Sequence, residues 1–368
     1  MRSLAYIETI KSLTPIPGAD KIEKAEVLGW EVVVLKDQFK VGDLIIYCEI
    51  DSVLPQLSCF EFLRPKKFRI RTIKLKSQVS QGIVFPLSTL QEVNPSFDIT
   101  KLKIGQDVTE ELSITKYDPE DSLDNNEQEK KPWLERKLSF LAWKILGIKP
   151  VKKDSFPSCV PKTDETRVQK MGSALWEYEG RPAYITEKLD GSSATFIYRK
   201  PANWLAKLFN KHGTFQICSR NRIVYDSRKD GQPDHYLRTI AIKYNIHEQL
   251  KKLNRNIAVQ GESLGPKIQS NIYKFSEHEL RVFSIFDIDT QEYVLYDELI
   301  SLVKELDLPI VPIVDDNAII VNDVKYYVEL SKGKSQLNPN TLREGIIIRV
   351  KDGHFSFKSI SPSFLLKQ

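Results

Sequence analysis

Short apolar runs dominate the first third of the chain. They fall at 30–35, 44–49, 68–75 and 82–86 and are rich in β-branched and aromatic residues. Turn formers such as Pro17-Gly18 and Gly42-Asp43 break them up. Many short strands within residues 1–112 predict a small β-barrel, in which closure leaves no free edge. From about residue 150 the pattern changes. Strands are predicted at 183–187, 193–199, 258–262, 281–288, 345–350 and 355–357, with helical periodicity near 236–253 and 296–306. That mixture predicts an α+β domain over 151–368.

Between the two lies a break in composition. Residues 118–131 hold six acids, two lysines and one strong hydrophobe, Leu123, and are expected to be a solvated linker. Residues 133–147 are rich in leucine and aromatics, which predicts a helix packed on the second domain, with a membrane-surface helix as the rival. No function follows for it. The expected division is 1–112, a linking stretch at 113–150, and 151–368.

The chain has 368 residues, of which 41% are hydrophobic and 28% charged, which excludes a disordered tail or a fibre. Four cysteines are widely spaced without a CxxC, so neither a disulfide scaffold nor a zinc knuckle is expected. Five scattered histidines argue against a histidine-built metal site. No apolar stretch reaches membrane-spanning length, and the first residues lack a signal-peptide core. A reduced, intracellular, monomeric protein without membrane contact is the expectation.

Net charge is only +5 (54 Lys plus Arg against 49 Asp plus Glu), but its distribution is uneven. Arg64, Lys66, Lys67, Arg69, Arg71, Lys74 and Lys76 are seven cations without an intervening acid. Alternation of cations with apolar residues suits a strand that faces its core on one side and a phosphate backbone on the other. An ordinary solvated strand face is the alternative.

The sharpest local feature is Glu187-Lys188-Leu189-Asp190-Gly191, a lysine at the end of an apolar–polar strand and just before a glycine turn. A lysine that loses its proton is a nucleophile. Alone, KxDG also reads as a surface turn. Further along come Arg220, then Glu262 at the end of a strand, the aromatic strand Phe283–Ile288, Glu344-Gly345, and Lys358.

In that order these residues resemble the six nucleotidyltransferase motifs of covalent ligases: Lys188–Gly191 (I), Arg220 (Ia), Glu262 (III), Phe283–Ile288 (IIIa), Glu344-Gly345 (IV) and Lys358 (V). Only ten residues follow Lys358, which leaves no room there for the oligonucleotide-binding (OB) barrel that DNA ligases and capping enzymes carry after motif V. With its β-rich unit first, the chain resembles the RNA ligase family of bacterial and amoeboid nick-sealing enzymes. Residues 156–167 and 68–82 share that resemblance.

The resemblance implies an N-terminal OB-like barrel and an adenylate pocket between two antiparallel sheets. It implies an ATP-dependent RNA ligase that joins 3′-OH and 5′-phosphate ends, with nicked duplex RNA as partner and Mg2+ or Mn2+ as cofactor. Lys188 would carry AMP. Lys358 and Lys162 would neutralise the α-phosphate. Glu344, Glu262 and Asp190 would hold the metal or its water shell. Phe283 would stack on adenine, Glu187 would orient it through its backbone, and Arg220 would contact ribose or the 5′-phosphate end. Two positions depart from the usual pattern. Ser193 stands where many DNA ligases have arginine, which favours RNA. Ser356 stands where motif V often has a first lysine, which leaves Lys162 as the expected substitute. A lysine beside Lys188 is expected to depress its pKa. A DNA ligase or GTP-using capping-type transferase is the first rival, and a decayed nucleic-acid-binding protein the second.

Overall fold

The structure is a computed structural model and describes residues 3–117, 155–201 and 213–367. The expected linker at 118–131 and helix at 133–147 lie outside the described residues. The chain divides into two compact units, Met1–Trp133 with Leu365–Gln368, and Leu134–Phe364.

The first unit contains β1 (Ala5–Thr9), β2 (Ser12–Pro15), β3 (Ile22–Val27), β4 (Trp30–Leu35), β5 (Leu44–Cys48), β6 (Ser52–Val53), β7 (Ile73–Leu75), β8 (Gln78–Ser80), β9 (Ile83–Pro86) and β10 (Thr115–Lys116), with one short helix, α1 (Ser88–Val93). The order β1-β5-β9 makes one sheet and β2-β3-β4 another, beside the pairs β10-β6 and β7-β8. Both faces of β1-β5-β9 are covered. Tyr6, Ile45, Tyr47 and Val84 join Trp30 and Val32 in one apolar cluster. Ile7, Ile46 and Phe85 join Phe60, Leu63 and Leu90 in another. Two-sided burial explains why β5 reads as a continuous apolar run instead of an alternation.

The expected closed barrel is not formed, because among the described residues no sheet closes on itself. Thr9 pairs with Leu44 but Ser12 pairs with Glu26, so the chain leaves one sheet for the next between β1 and β2. Beyond β4, a ladder is replaced by isolated bonds. Gln81 N–H donates to the Glu31 carbonyl (2.8 Å), and Val33 N–H donates to the Ser80 side-chain hydroxyl (2.9 Å). A hydroxyl acceptor satisfies the amide without continuing a strand pairing.

The second unit contains β11 (Pro182–Lys188), β12 (Ser192–Arg199), β13 (Thr214–Cys218), β14 (Ile223–Asp226), β15 (Ile257–Leu264), β16 (Glu279–Asp287), β17 (Glu292–Tyr293), β18 (Ile313–Ile319), β19 (Gly345–Val350) and β20 (Ser356–Ile360). They form two antiparallel sheets, β18-β11-β19-β20 and β14-β13-β12-β15-β16-β17. Helices α2 (Gly172–Glu177), α3 (Tyr236–Lys243), α4 (Ile246–Leu253), α5 (Tyr296–Glu305), α6 (Val324–Leu330) and α7 (Pro362–Leu365) complete it. The single helix expected near 236–253 is two, because Asn245 takes a left-handed conformation (φ 48°) between them.

Helices cover one face of each sheet. Leu237, Ile240, Leu250 and Leu302 pack on Phe196, Ile217 and Val259 of the six-stranded sheet. Leu175 and Tyr327 pack on Ile185, Ile348 and Phe357 of the four-stranded sheet. Alternation along each strand then places the remaining side chains on the faces without helices.

Candidate active site

β11 belongs to the four-stranded sheet and β12 to the six-stranded one. Residues 189–191 are therefore the turn by which the chain passes between sheets, and Lys188 is the last residue before it. Gly191 is required there by close approach. A Cβ on it would stand 2.4 Å from the Ser263 carbonyl oxygen and 2.8 Å from Glu262 Cγ. Gly191→Ala is expected to lower stability by about 1–3 kcal/mol through overpacking and to displace Glu262. Denaturant unfolding checks the first effect, and an unchanged midpoint would contradict it. The backbone N–H of Asp190 donates to the Tyr273 hydroxyl (2.8 Å), which fixes the turn from the other side.

Lys188 Nζ donates to Glu344 Oε2 at 2.7 Å, and both side chains are largely buried. Burial pulls the lysine pKa down, but the charges of Glu344, Glu262 and Asp190 outweigh it and the net shift is upward. The expected depression of the Lys188 pKa is not found, because the carboxylate charges outweigh burial. Burial, reinforced by the Glu344 charge, raises Asp190 to about 6. Burial likewise raises Glu262 to about 8, opposed by Lys188 and supported by Glu344 and Asp190. Excess carboxylate around one ammonium therefore holds protons that an added cation would release. Among the described residues no three His, Cys, Asp or Glu side chains gather closely enough to hold a metal ion themselves. The three carboxylates so placed suit a hydrated Mg2+ or Mn2+, which keeps several waters and takes oxygen donors.

Cations stand on the other side. Lys358, on β20, pairs across the ladder with Ile347 and is almost fully buried. Burial lowers its pKa to about 8, opposed by Asp164 and assisted by the charges of Lys188 and Arg167. Its Nζ donates to Asp164 Oδ1 at 2.7 Å. Arg167 is buried and forms a parallel bridge to Lys358 in the backbone. Lys188 and Arg167 thus both act electrostatically on Lys358, a grouping that favours an anion beside them.

Other expected residues are distributed differently. Phe283 is half-buried among Leu189, Leu264, Tyr273 and Val311, with the Arg349 guanidinium 5.9 Å from its ring centre. Glu187 turns its carboxylate to the opposite face from Lys188, where Gln336 N–H donates to it (2.8 Å). Only its backbone could orient a base beside Lys188. Arg220 sits half-buried in the turn between β13 and β14. Lys162 is engaged with Asn221 Oδ1 (2.9 Å) and no contact joins it to Lys358. Ser356 donates instead to Glu165, which also binds Arg349 at 2.9 Å.

A cavity of about 220 Å³ is lined by Lys162, Glu165, Tyr184, Tyr296, Arg349 and Ser356, among others, and reaches neither Lys188 nor Phe283. Arg167, Asp164, Arg349 and Tyr273 were not among the residues expected from sequence. Asp164 and Arg167 fall within the 156–167 stretch, but no spacing rule marks them individually.

In the first unit, two of the seven clustered cations are bound within the unit. Arg64 pairs with Glu61 (2.7 Å) and Arg69 with Asp51 (2.6 Å), the latter also stacking on Tyr117 at 3.6 Å. Lys66, Lys67, Arg71, Lys74 and Lys76 are exposed and pair with no acid among the described residues. The expected strand over 68–75 is shorter. Phe68 and Ile70 are buried as alternation requires, but only Ile73–Leu75 forms strand, and Ile73 and Leu75 are exposed.

A protein-family model described as RNA ligase matches residues 181–364, and a second, an OB-fold domain, matches residues 4–87. A Naegleria gruberi RNA ligase, as a glutamate-to-alanine mutant with ATP and Mn, is 32% identical. The similarity covers 100% of this chain and 99% of that one, with a TM-score of 0.79. The chain belongs to the RNA ligase family. The same Naegleria gruberi ligase appears with AMP and Mn in another mutant (31% identity, 100% and 99% coverage, TM-score 0.79) and with PPi (31% identity, 100% and 99% coverage, TM-score 0.77). Among curated proteins, none matches. The RNA ligase is therefore an enzyme of the expected class, and the first unit has OB kinship without a closed barrel. Among its described residues, no helix is long and apolar enough to cross a membrane.

Proposed function

We propose that this RNA ligase joins 3′-OH and 5′-phosphate ends at nicks in duplex RNA, in three steps centred on Lys188. It is an ATP-dependent enzyme that works through a lysine–AMP intermediate, as the motif order and the ATP- and AMP-bearing relatives support. Lys188 Nζ attacks the α-phosphorus of ATP and pyrophosphate leaves. AMP then passes to the RNA 5′-phosphate, and the 3′-hydroxyl displaces it. The observation that carries this reading is charge sorting around one lysine. Glu344, Glu262 and Asp190 act on the Lys188 ammonium, and Lys188 in turn acts on Lys358, which has Arg167 beside it.

Lys188 must lose a proton before it can attack. A bound Mg2+ or Mn2+ would neutralise the carboxylates that now stabilise its charged form and polarise phosphate oxygens. Glu344, Glu262 and Asp190 are assigned to hold that ion through its water shell. Lys358 and Arg167 are assigned to the α-phosphate and the leaving group, a position where fixed cations lower the barrier. We assign Phe283 to adenine stacking, the Glu187 backbone to adenine orientation, and Arg220 to ribose or the 5′-phosphate end.

Residues 1–112 are assigned to RNA backbone contact and 151–368 to catalysis, within one chain that supplies every candidate side chain. Free thiols at Cys48, Cys59, Cys159 and Cys218 are consistent with work inside the cell.

Incubation with α-labelled ATP and Mg2+ or Mn2+ tests the reading directly. A labelled protein band is expected, and its absence would remove it. Nicked duplexes with RNA or DNA on the 3′-OH side test the substrate, and faster sealing of unpaired RNA ends would overturn the nick assignment. Exchanging Lys74 and Lys76 for alanine should reduce the slope of log affinity against log salt by about 2, one for each lost phosphate contact. Filter binding at several salt concentrations measures it, and protein labelling by ATP should not change.

A further inference from the structure

Lys358 has a long, flexible stem and, among the described residues, one acidic partner at 2.7 Å. A lysine side chain holds about 2 kcal/mol of rotamer entropy, so an ammonium that must meet a phosphate gains from being fixed beforehand. The partner, Asp164, sits on a segment that is itself anchored. Lys358 N–H donates to the Thr166 carbonyl at 2.8 Å, and Arg167 forms a parallel bridge with Lys358. Glu165, next to Asp164, accepts from Ser356 and binds Arg349, so β19 and β20 both grip it. A single parallel bridge ties the segment to β20, with one carboxylate on Lys358 and the next on Arg349.

We infer that Asp164 is a positioning residue, whose carboxylate fixes where the Lys358 ammonium stands in the adenylation site. The inference rests on the ligase reading and goes beyond it by giving a specific task to a residue outside the six motifs. The charged groups that act on Lys358 are Asp164, Lys188 and Arg167. Asp164 is the only attractive one of the three. Without it, burial and two neighbouring cations are unopposed, and the Lys358 charge is lost at lower pH.

The test is the second-order rate constant for protein–AMP formation at low ATP, measured against pH in the full chain. Asp164→Asn keeps the shape, and Asp164 is partly exposed, so the fold is retained. The substitution is expected to slow adenylation about ten-fold at neutral pH, the effect of one lost charge-assisted hydrogen bond. It should also move the point at which the rate stops rising with pH to lower pH. Asp164→Glu should restore the position of that levelling. In a Lys358→Arg background, Asp164→Asn should not move the profile, because guanidinium stays charged throughout. An unmoved levelling in Asp164→Asn, or faster adenylation from a released Lys358, overturns the proposal. If that happens while Lys358→Ala still loses adenylation, the ligase reading stands and only the positioning role falls. If wild-type protein takes no label from ATP, the ligase reading itself fails.

Discussion

Lys188→Ala is expected to abolish the labelled protein–AMP band, with no residual adenylation above background at any pH. The substitution removes the attacking nitrogen, and among the described residues no other lysine lies in or next to the 189–191 turn. It also leaves Glu344 without its 2.7 Å partner, among Glu262 and Asp190, so like charges are no longer balanced. Lys188→Arg separates these two losses. Guanidinium keeps a positive charge beside Glu344 but does not deprotonate, so it cannot attack. Both variants should therefore be unlabelled, whereas only the alanine variant should have altered stability. Either should still seal RNA that already carries a 5′-adenylate, because the last step requires no lysine nucleophile. A labelled band from Lys188→Ala, on the protein analysed by denaturing gel, would remove Lys188 from its assigned role.

Lys358→Ala is expected to lower the adenylation rate by about 100- to 1,000-fold, the range for removing one fixed charge-stabilising group from a transition state. The pH dependence has a definite sign. Burial sets the Lys358 pKa to about 8 despite Asp164, with Lys188 and Arg167 adding to the depression. Its charge is present below that pH and is lost above it. Lys188 acts in the opposite sense, because its pKa is raised and the neutral nucleophile becomes more abundant with pH. Adenylation at low ATP should therefore rise with pH up to about 8 and level off above it, where loss of the Lys358 charge offsets the gain in neutral Lys188. Lys358→Arg, charged at every pH used, should lose that levelling and keep rising with pH, while retaining part of the rate. Rates at saturating and low ATP separate the free protein from the ATP complex. A levelling near pH 8 that persists in Lys358→Arg would assign it to another group.

Much of the catalytic unit was legible in the chain. β19 matches its expected bounds, and β11, β12, β15 and β16 differ from theirs by one or two residues at either end, because long apolar runs with few breakers have few alternatives. Lys188, Glu262, Glu344 and Lys358 were candidates from sequence because the motif order is constrained residue by residue, and the fold sets Lys188 beside Glu344. The first unit was less transparent. Its strands appear where expected at Trp30–Leu35 and Ile83–Pro86, yet their division between sheets depends on hydrogen bonds such as Val33 N–H to the Ser80 hydroxyl. No local pattern encodes that choice. The basic run shows the same limit. Composition marked seven cations, but only the folded chain brings Glu61 to Arg64 and Asp51 to Arg69.

By itself, then, the sequence determined which residues are candidates for chemistry and in what order they come. Tertiary structure decided which of them meet. It set Lys358 beside Asp164 and Arg167, whereas Lys162, chosen from sequence for a phosphate, turned to Asn221. It also raised the Lys188 pKa, through three carboxylates supplied by a turn and two distant strand ends. The physical reason is that pairing and burial are properties of neighbours in space. A charge's partner can lie more than a hundred residues away, and the dielectric around both is set by what the fold packs over them.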